Sequence, residues 1–177
     1  MLSLGMTPTV RAYVADIDTP IGTMVATASE THLLLLEFSH RRMLDTQLER
    51  VRHALRCEFE HGESPVFTTL RGQLGEYFAG DRRTFDVPML VPGTPFQMRV
   101  WSELRKIPSG TTTTYGRIAE AIGQPTAVRA VARANGDNRI AILIPCHRVT
   151  RGGQIPDEYV GGAEARLKLR ELEAALL

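Results

Sequence analysis

Residues 139–149 read Arg-Ile-Ala-Ile-Leu-Ile-Pro-Cys-His-Arg-Val, and the other predicted elements are organised around this stretch. Residues 140–144 form an unbroken apolar run rich in β-branched side chains, which predicts a buried strand or a stiff extended segment. Pro145 ends the run and restricts the backbone just before Cys146. We therefore expect a thiol where a buried segment ends, with the imidazole of His147 next in sequence.

The pair Cys146 and His147 allows two interpretations. A lone cysteine beside an apolar run is most often an inert core thiol, because cysteine is among the most frequently buried residues. A reactive cysteine has to lose its proton, and histidine is the side chain that accepts a proton near neutral pH. Since adjacent side chains point in different directions in strands and helices, direct contact between the two needs an irregular turn, or a water molecule between them.

Length and composition limit the possible classes of protein. With 177 residues, 43% of them hydrophobic, the chain can form one large domain or two small domains that share an interface. No stretch approaches the roughly 20 apolar residues that span a membrane, and residues 1–11 lack the pattern of a secretory signal. The two cysteines, Cys57 and Cys146, are far apart, which argues against a disulfide framework and favours a reducing, cytoplasmic location.

The chain offers no convincing metal site. His53, Cys57 and His61 are close in sequence, but their spacing matches no standard zinc pattern, and Cys57 falls on a predicted apolar helix face. Structural or surface roles are therefore expected for these three side chains.

Charge is unevenly distributed along the chain. Residues 1–91 carry 9 basic and 12 acidic side chains, residues 92–177 carry 12 and 8, and residues 99–151 carry 9 and 3. A local basic excess of this kind suits contact with a phosphate backbone, and an ordinary solvated surface is the alternative.

The N-terminal half predicts a small sheet with helices. Alternation and turn signals predict a three-stranded antiparallel meander, followed by two helices and a further short strand. The predicted strands cover residues 10–15, 23–28, 33–38 and 84–90, and the predicted helices cover residues 41–57 and 69–78. The turn-rich residues 91–95 mark a domain boundary, which gives domains at 1–91 and 92–177.

The C-terminal half predicts mostly helices. They cover residues 96–106, 114–122, 127–135 and 163–176. The second and third are separated by a tight turn at Gly123, which is typical of a helix-turn-helix. The last carries the apolar stripe Leu169, Leu172 and Leu176. Glu173 borders this stripe, so it is either an ordinary surface charge or a carboxylate partly buried beside a partner.

The helix at residues 127–135 has an unusual surface. Val128 and Val131 are expected to face the core, whereas Ala127, Ala130 and Ala134 leave another side nearly flat, with Arg129 and Arg133 beside it. A flat alanine face lets the backbone approach a narrow minor groove, whereas a major-groove helix usually carries long polar side chains. A small-residue helix packed on another helix is the alternative.

Several motifs occur together in the order and spacing of one protein family. They are Phe96 and Gln97 with Val100 and Trp101, Ile107 and Pro108 with Gly110, residues 114–116, residues 127–131, Asn138, residues 144–149, and Tyr159 with Gly161 and Gly162. Weaker similarity is visible at residues 19–22 and 77–80. The chain resembles the O6-alkylguanine-DNA alkyltransferases, also called methylated-DNA–protein-cysteine methyltransferases, over about residues 92–173.

The resemblance implies a fold and a function. It implies an α+β protein, with an N-terminal ribonuclease-H-like domain and a mostly helical, winged-helix-like C-terminal domain. It also implies a single-turnover DNA repair enzyme, which takes the alkyl group from O6-alkylguanine, and from O4-alkylthymine, onto Cys146. The partner would be double-stranded DNA bound through its minor groove, with no metal ion or organic cofactor. The protein would be a monomer, with cooperative assembly on DNA left open.

The resemblance also assigns the catalytic roles. Cys146 would accept the alkyl group, His147 would act as the base through a water molecule, and Glu173 would orient His147. Asn138 would brace the turn, and Tyr115 would turn the phosphate of the flipped nucleotide and donate to the base.

Further residues would bind DNA or line the pocket. Arg129 would fill the gap left by the flipped base. The remaining DNA-binding residues would be Gly116, Gln124, Ala127, Ala130 and Arg133. The substrate pocket would be formed by the carbonyl groups of Cys146 and Val149 and by Tyr159 and Val160.

Three departures from the family pattern stand out. Arg139 replaces a common proline, so the turn after Asn138 loses a rigid residue. Val160 stands where small, polar or basic residues are common. Asp157 and Glu158 add negative charge to the loop beside the site, which opposes the approach of phosphate.

Two other functions remain as alternatives. A lesion-binding or regulatory helix-turn-helix protein would not need the thiol of Cys146. A cysteine hydrolase would turn over repeatedly and would not need a flat alanine face.

Overall fold

The computed structural model describes residues 10–152 and 161–175. The strands are β1 (Val10–Thr19), β2 (Gly22–Ala28), β3 (Leu33–Phe38), β4 (Cys57–His61), β5 (Thr113–Thr114) and β6 (Val149–Thr150). The helices are α1 (Leu44–Leu55), α2 (Pro65–Ala79), α3 (Pro95–Leu104), α4 (Tyr115–Ala121), α5 (Val128–Gly136) and α6 (Gly162–Ala174).

The N-terminal sheet contains four strands in the order β3-β2-β1-β4. The meander of β1, β2 and β3 is antiparallel, as predicted, and its register pairs Tyr13 with Ala28. The prediction of a three-stranded sheet was wrong, because β4 adds a parallel edge strand beside β1. The predicted α1 ran on to residue 57, but Arg56 adopts a left-handed conformation (φ 47°) that ends the helix. Cys57 is therefore buried on β4 instead of on a helix.

Helix α2 begins four residues before the predicted start. The side chain of Ser64 accepts a hydrogen bond from the backbone of Val66, and Pro65 occupies the first helical position. Both are standard signals for the beginning of a helix. Gly80 ends the helix in a left-handed conformation, which glycine adopts readily.

The strand predicted at residues 84–90 is not formed. Only Met89 makes an isolated bridge, to Leu33 of β3. The backbone of Leu33 donates to Pro88 and accepts from Leu90, so this segment runs along the sheet without becoming a regular strand. The domain boundary at residue 91 stays a prediction.

The C-terminal helices follow the predicted order. Thr94 and Gln97 form a reciprocal capping box that starts α3. Thr114 caps α4, and Gly123 adopts a positive φ of 72° in the turn between α4 and α5. Helices α3, α4 and α5 contact one another, and the short parallel pair β5 and β6 lies beside them.

The apolar run at residues 140–144 is buried, but it is not a strand. Ile140 bridges to Leu36 of β3, and the chain then turns, with Ile142 in the left-handed region (φ 71°). A β-branched residue is rarely found there, so sequence pattern alone favoured an extended segment. The run belongs to one core that includes side chains from both halves of the chain, among them Phe38, Phe67, Leu104 and Leu169.

No helix in residues 10–152 or 161–175 is both long and apolar enough to cross a membrane.

Candidate active site

Cys146 begins a short 3-10 turn, Cys146–Arg148, directly after Pro145. Its side chain lies in the interior, with the residue only 2% exposed, and the Nδ2 atom of Asn138 donates a hydrogen bond to its Sγ at 3.2 Å. Burial raises the pKa of Cys146 to about 11, and the hydrogen bond from Asn138 opposes this increase. The thiol is therefore protonated at neutral pH.

Asn138 holds the turn that carries Cys146. Its Nδ2 atom donates to the carbonyl of Ile144 at 2.8 Å and lies 3.3 Å from that of Ile140, while its Oδ1 accepts from the backbone of Ile140. One buried amide thus satisfies several backbone groups of the irregular segment and also reaches the sulfur. This is the geometry expected of a side chain that braces the turn.

His147 contacts Glu173 inside the protein. The Nε2 atom of His147 lies 2.8 Å from Oε1 of Glu173, and both side chains are buried. Burial lowers the pKa of His147, against the influence of Glu173. Burial opposes ionisation of Glu173, but hydrogen bonds from His147 and Arg148 outweigh it and lower the pKa of the carboxyl. A carboxylate only accepts, so the proton of the neutral imidazole is on Nε2 and the lone pair is on Nδ1.

Glu173 has additional donors that the sequence did not identify. Arg148 donates to both carboxylate oxygens, at 3.0 Å and 2.7 Å, and the hydroxyl of Tyr77 donates at 2.7 Å. Arg148 lies within the central stretch, residues 139–149, but residue type alone gives no signal that its side chain turns inward. Tyr77 comes from α2, and only the three-dimensional structure relates it to a residue 96 positions later.

Arg166 was also missed by the sequence analysis. It is buried on α6, and it donates to the carbonyl groups of His147 and Val149. A signal was available, because Arg166 and Glu173 are seven residues apart and therefore share one face of the helix. Arg166 thus holds the backbone of the residues that follow Cys146.

The two carbonyls predicted to meet guanine already have protein partners. The carbonyl of Cys146 accepts from the side chain of Asn135 at 3.5 Å, and that of Val149 accepts from Arg166. A carbonyl oxygen has two lone pairs, so each retains the capacity for a second donor. The other predicted pocket residues, Tyr159 and Val160, lie outside the described residues, as do Asp157 and Glu158.

Tyr115 and Gly116 form the first turn of α4, next to the cap at Thr114. Tyr115 is buried and packs in the same core as Cys146. Gly116 and Gln124 are half-buried, at the beginning of α4 and in the turn after it.

The face of α5 differs in part from the prediction. Arg129, Ala130 and Arg133 are exposed, and Ala127 is half-buried at the start of the helix. Val128 was expected in the core but is 39% exposed, whereas Val131 is buried. Ala134 was expected on the flat face, but it is buried, and its carbonyl accepts from Trp101 at 2.9 Å. The exposed surface therefore lies over the first two turns, around Val128 and Ala130.

The described residues contain no group of three or more His, Cys, Asp or Glu side chains placed to hold a metal ion.

Two family models match the chain in succession. Residues 12–91 match the ribonuclease-like domain of 6-O-methylguanine DNA methyltransferase, and residues 95–175 match the DNA-binding domain of the same family.

Curated relatives and solved structures agree with these matches. The constitutive methylated-DNA–protein-cysteine methyltransferase of Bacillus subtilis is 39% identical, and the match covers 84% of this chain and 87% of the relative. The Mycobacterium tuberculosis protein of that name is 41% identical, with 89% of each chain covered. The crystal structure of O6-methylguanine methyltransferase from M. tuberculosis superposes with a TM-score of 0.80 at 36% identity, and 94% of each chain is covered. Its complex with DNA gives a TM-score of 0.77 at 37% identity, again over 94% of each chain. The chain therefore belongs to the methylated-DNA–protein-cysteine methyltransferases, the family of O6-methylguanine-DNA methyltransferases.

Proposed function

We propose that this protein repairs DNA by moving the alkyl group of O6-alkylguanine onto Sγ of Cys146. The observation that carries the proposal is the buried contact between Glu173 and His147, the residue that follows Cys146 in the 3-10 turn. An ionised, buried carboxylate behind an imidazole supports transient protonation of that imidazole. Membership of the family supports the same reaction on DNA.

The first step is activation of the thiol. Because burial keeps Cys146 protonated, the resting protein holds its nucleophile in an inactive form. The lone pair on Nδ1 of His147 takes the thiol proton through a bridging water. Glu173 stabilises the resulting imidazolium, while Arg148 balances the charge of the carboxylate before the proton arrives.

The second step transfers the alkyl group. The thiolate attacks the alkyl carbon, an S–C bond forms, and the C–O6 bond breaks with its electron pair going to the guanine. A proton from Tyr115 or another donor goes to N3 of the base, which improves the leaving group. The resulting thioether has no ready route to hydrolysis, so each molecule acts once. The same substitution applies to O4-alkylthymine, and it requires no metal ion or organic cofactor.

We infer that α5 enters the minor groove of double-stranded DNA. Ala127 and Ala130 allow close approach, and Arg129 fills the gap left when the damaged base leaves the stack. Arg133 is expected to contact phosphate, together with Gly116 and Gln124 near the beginning of α4. Tyr115 would turn the phosphate of the flipped nucleotide.

The base would then reach the carbonyl groups of Cys146 and Val149. Each of these retains a lone pair for the exocyclic amine of guanine. Tyr159 and Val160 would line the alkyl pocket.

Intact-mass measurement tests the proposal. After incubation with a duplex oligonucleotide containing O6-methylguanine, we expect one added methyl group, mapped to Cys146. Cys146→Ala should bind the duplex and gain no mass, whereas Cys57→Ser, at the other buried cysteine, should gain mass as the wild type does.

Other outcomes would contradict alkyl transfer. Repeated turnover without an adduct would indicate a cysteine hydrolase. Selective binding of the lesion with neither adduct nor turnover would indicate a lesion sensor. Sedimentation of the free protein and of its DNA complex tests the proposed monomer and any cooperative assembly.

A further inference from the structure

The backbone carbonyl groups of the turn that carries Asn138 accept hydrogen bonds from the N-terminal half of the chain. Arg41 donates to the carbonyls of Gly136 and Asn138, and Gln47 of α1 donates to that of Asp137 at 3.4 Å. The backbone of Leu36 donates to the carbonyl of Arg139 at 2.8 Å. All four consecutive carbonyls of residues 136–139 therefore accept from residues of the first 47 positions.

The side chain of Arg139 points into the interface between the two halves of the chain. The residue is 7% exposed, its Nε donates to Oε1 of Gln47 at 3.1 Å, and its guanidinium lies 5.6 Å from the centre of the Trp101 ring. Gln47 is completely buried. Its side-chain amide bonds to Asp137 and to Arg139, the residues on both sides of Asn138.

The surroundings of Arg139 disfavour the positive charge of its guanidinium. In the described part of the chain, no carboxylate lies within salt-bridge distance of its guanidinium. Burial lowers the pKa of Arg139, and nearby Arg50 acts in the same direction, against the charge of Asp137. A buried charge held by a neutral amide and an aromatic face contributes little stability by itself. The main effect of the Arg139 side chain is therefore expected to be on the geometry of the turn.

The amide of Asn138 is sensitive to that geometry. Its two N–H hydrogens are shared among three acceptors, the carbonyls of Ile140 and Ile144 and the Sγ of Cys146. The carbonyl of Ile144 lies at 2.8 Å and the sulfur at 3.2 Å, so a rotation of the turn that displaces the amide of Asn138 would change its contact with the sulfur.

We propose that Arg139 and Gln47 are positioning residues that keep the amide of Asn138 aimed at the sulfur of Cys146. They act through the turn and do not touch the substrate. This inference rests on the proposed alkyl transfer, but its first test does not depend on DNA.

The first experiment measures the thiol directly. In a Cys57→Ser background, the rate of alkylation of Cys146 by iodoacetamide as a function of pH reports the thiol pKa. Below that pKa the rate follows the thiolate fraction, so Arg139→Ala and Gln47→Ala should each lower the alkylation rate between about pH 7 and pH 9, because Asn138 then stabilises the thiolate less. Glu37, Arg41 and Arg166 also influence this sulfur, and they are unchanged in both variants.

The second experiment separates binding from transfer. At saturating methylated duplex, both variants should transfer the methyl group roughly 10- to 100-fold more slowly, as expected for a misplaced reacting group. Their Kd for the duplex should stay within about twofold of the wild type, because the exposed face of α5 is untouched. A double variant should be no slower than the slower single variant, since the two side chains act as a unit.

Arg50→Ala is the matched control. Arg50 is on the same helix as Gln47 and contacts the same turn, but through the half-buried carboxylate of Asp137 at 3.4 Å. It should leave both the alkylation profile and the rate of transfer unchanged. Circular dichroism and urea unfolding show whether each variant is folded.

The outcomes are distinct. Folded Gln47→Ala and Arg139→Ala proteins with the wild-type alkylation profile and rate would overturn the inference, as would an equal effect of Arg50→Ala. If Arg139→Ala does not fold, Gln47→Ala alone decides. A wild-type protein that reacts with iodoacetamide but takes no methyl group from DNA would instead overturn the proposed function.

Discussion

Glu173 accepts hydrogen bonds from Tyr77, His147 and Arg148, and the backbone of Gly110 lies 3.4 Å from its second oxygen. A single carboxylate therefore joins α2, the turn after Cys146, the loop before β5 and α6. Removing one partner of a buried ion pair is far more costly than its net contribution, because the other charge is left uncompensated. Among single-residue changes, those that disturb the charge balance between Glu173 and its partners His147 and Arg148 should therefore have the largest effects.

Glu173→Gln should lower the free energy of unfolding by about 3–5 kcal/mol, because Arg148 is left buried without its counter-charge. It should also slow methyl transfer at saturating DNA, since the imidazolium of His147 loses its stabilising carboxylate. Urea denaturation and single-turnover kinetics measure the two effects. Glu171→Gln, at an exposed position on the same helix, should change neither. Equal stability of the two variants would contradict the buried ion pair.

Tyr77→Phe should lower the free energy of unfolding by about 1.5–3 kcal/mol, the usual contribution of a hydrogen bond to a charged group. The ring and its packing remain, so the loss isolates the hydroxyl that joins α2 to Glu173. Tyr13→Phe is the control, because its hydroxyl reaches Glu30 at 3.3 Å on the surface. Thermal and urea unfolding compare the two. A loss no larger than that of Tyr13→Phe would show that the contact with Glu173 is unimportant.

The pH dependence of transfer tests the state of His147. Burial lowers its pKa below the usual 6.5, so the neutral base persists as the solution becomes more acidic. The rate at saturating DNA should be constant from about pH 8 down to about pH 6.5 and should fall only below that range. If solvent hydroxide deprotonated the thiol instead, the rate would rise about tenfold per pH unit, because the pKa of Cys146 is about 11.

At the scale of the elements, periodicity located all six long helices of the described residues and the three-stranded meander. It was less successful where local conformation departs from the average. Strand β4 is only five residues long and follows a left-handed Arg56, so its cysteine was assigned to the helix. The run at residues 140–144 was predicted as extended, since no pattern indicates a positive φ at a β-branched residue such as Ile142. In both cases the sequence pattern predicted burial correctly, but it predicted the wrong backbone conformation.

Helix α5 gives a prediction that depends on its exposed face. Arg129→Ala should reduce methyl transfer on duplex DNA about tenfold or more and leave transfer from a single-stranded oligonucleotide unchanged, because only the duplex requires a base to leave the stack. Arg133→Ala, one turn later on the same helix, should weaken binding to damaged and undamaged duplex alike. It should also lower the slope of affinity with salt by about one. Identical behaviour of the two variants would remove the special role of Arg129.

At the scale of the whole molecule, the two halves of the chain share one apolar core and one polar network. The family resemblance pointed to Cys146, His147, Asn138 and Glu173, and in the structure Asn138 contacts Cys146 and Glu173 contacts His147. Three of the partners that hold them, Tyr77, Arg41 and Gln47, belong to the other half of the sequence. Contacts between distant segments leave no local pattern, so the sequence could suggest the reacting groups but not their support.

Glu37 gives a prediction about how the stability of the whole protein depends on pH. Burial raises its pKa from 4.5 to about 7, although Arg41 opposes the shift. The folded state therefore binds more protons than the unfolded state between about pH 4.5 and pH 7, and stability should fall as the pH rises through this window. Above about pH 7 the loss is complete.

Glu37→Gln should remove this part of the pH dependence. Urea unfolding at about pH 5 and pH 8 compares the variant with the wild type. Glu60→Gln, at an exposed position on β4, should behave as the wild type does. A wild-type protein that is more stable relative to Glu37→Gln at pH 8 than at pH 5 would contradict the predicted sign.

The sealed position of Cys146 has a consequence for how long the protein lasts before it meets damage. Because burial raises the pKa of this thiol to about 11, it stays protonated at neutral pH. Peroxides and soluble electrophiles attack the ionised form, so the sulfur should remain unoxidised in storage and in the cell. Because each molecule can accept only one alkyl group, this low reactivity preserves the thiol for repair by preventing side reactions.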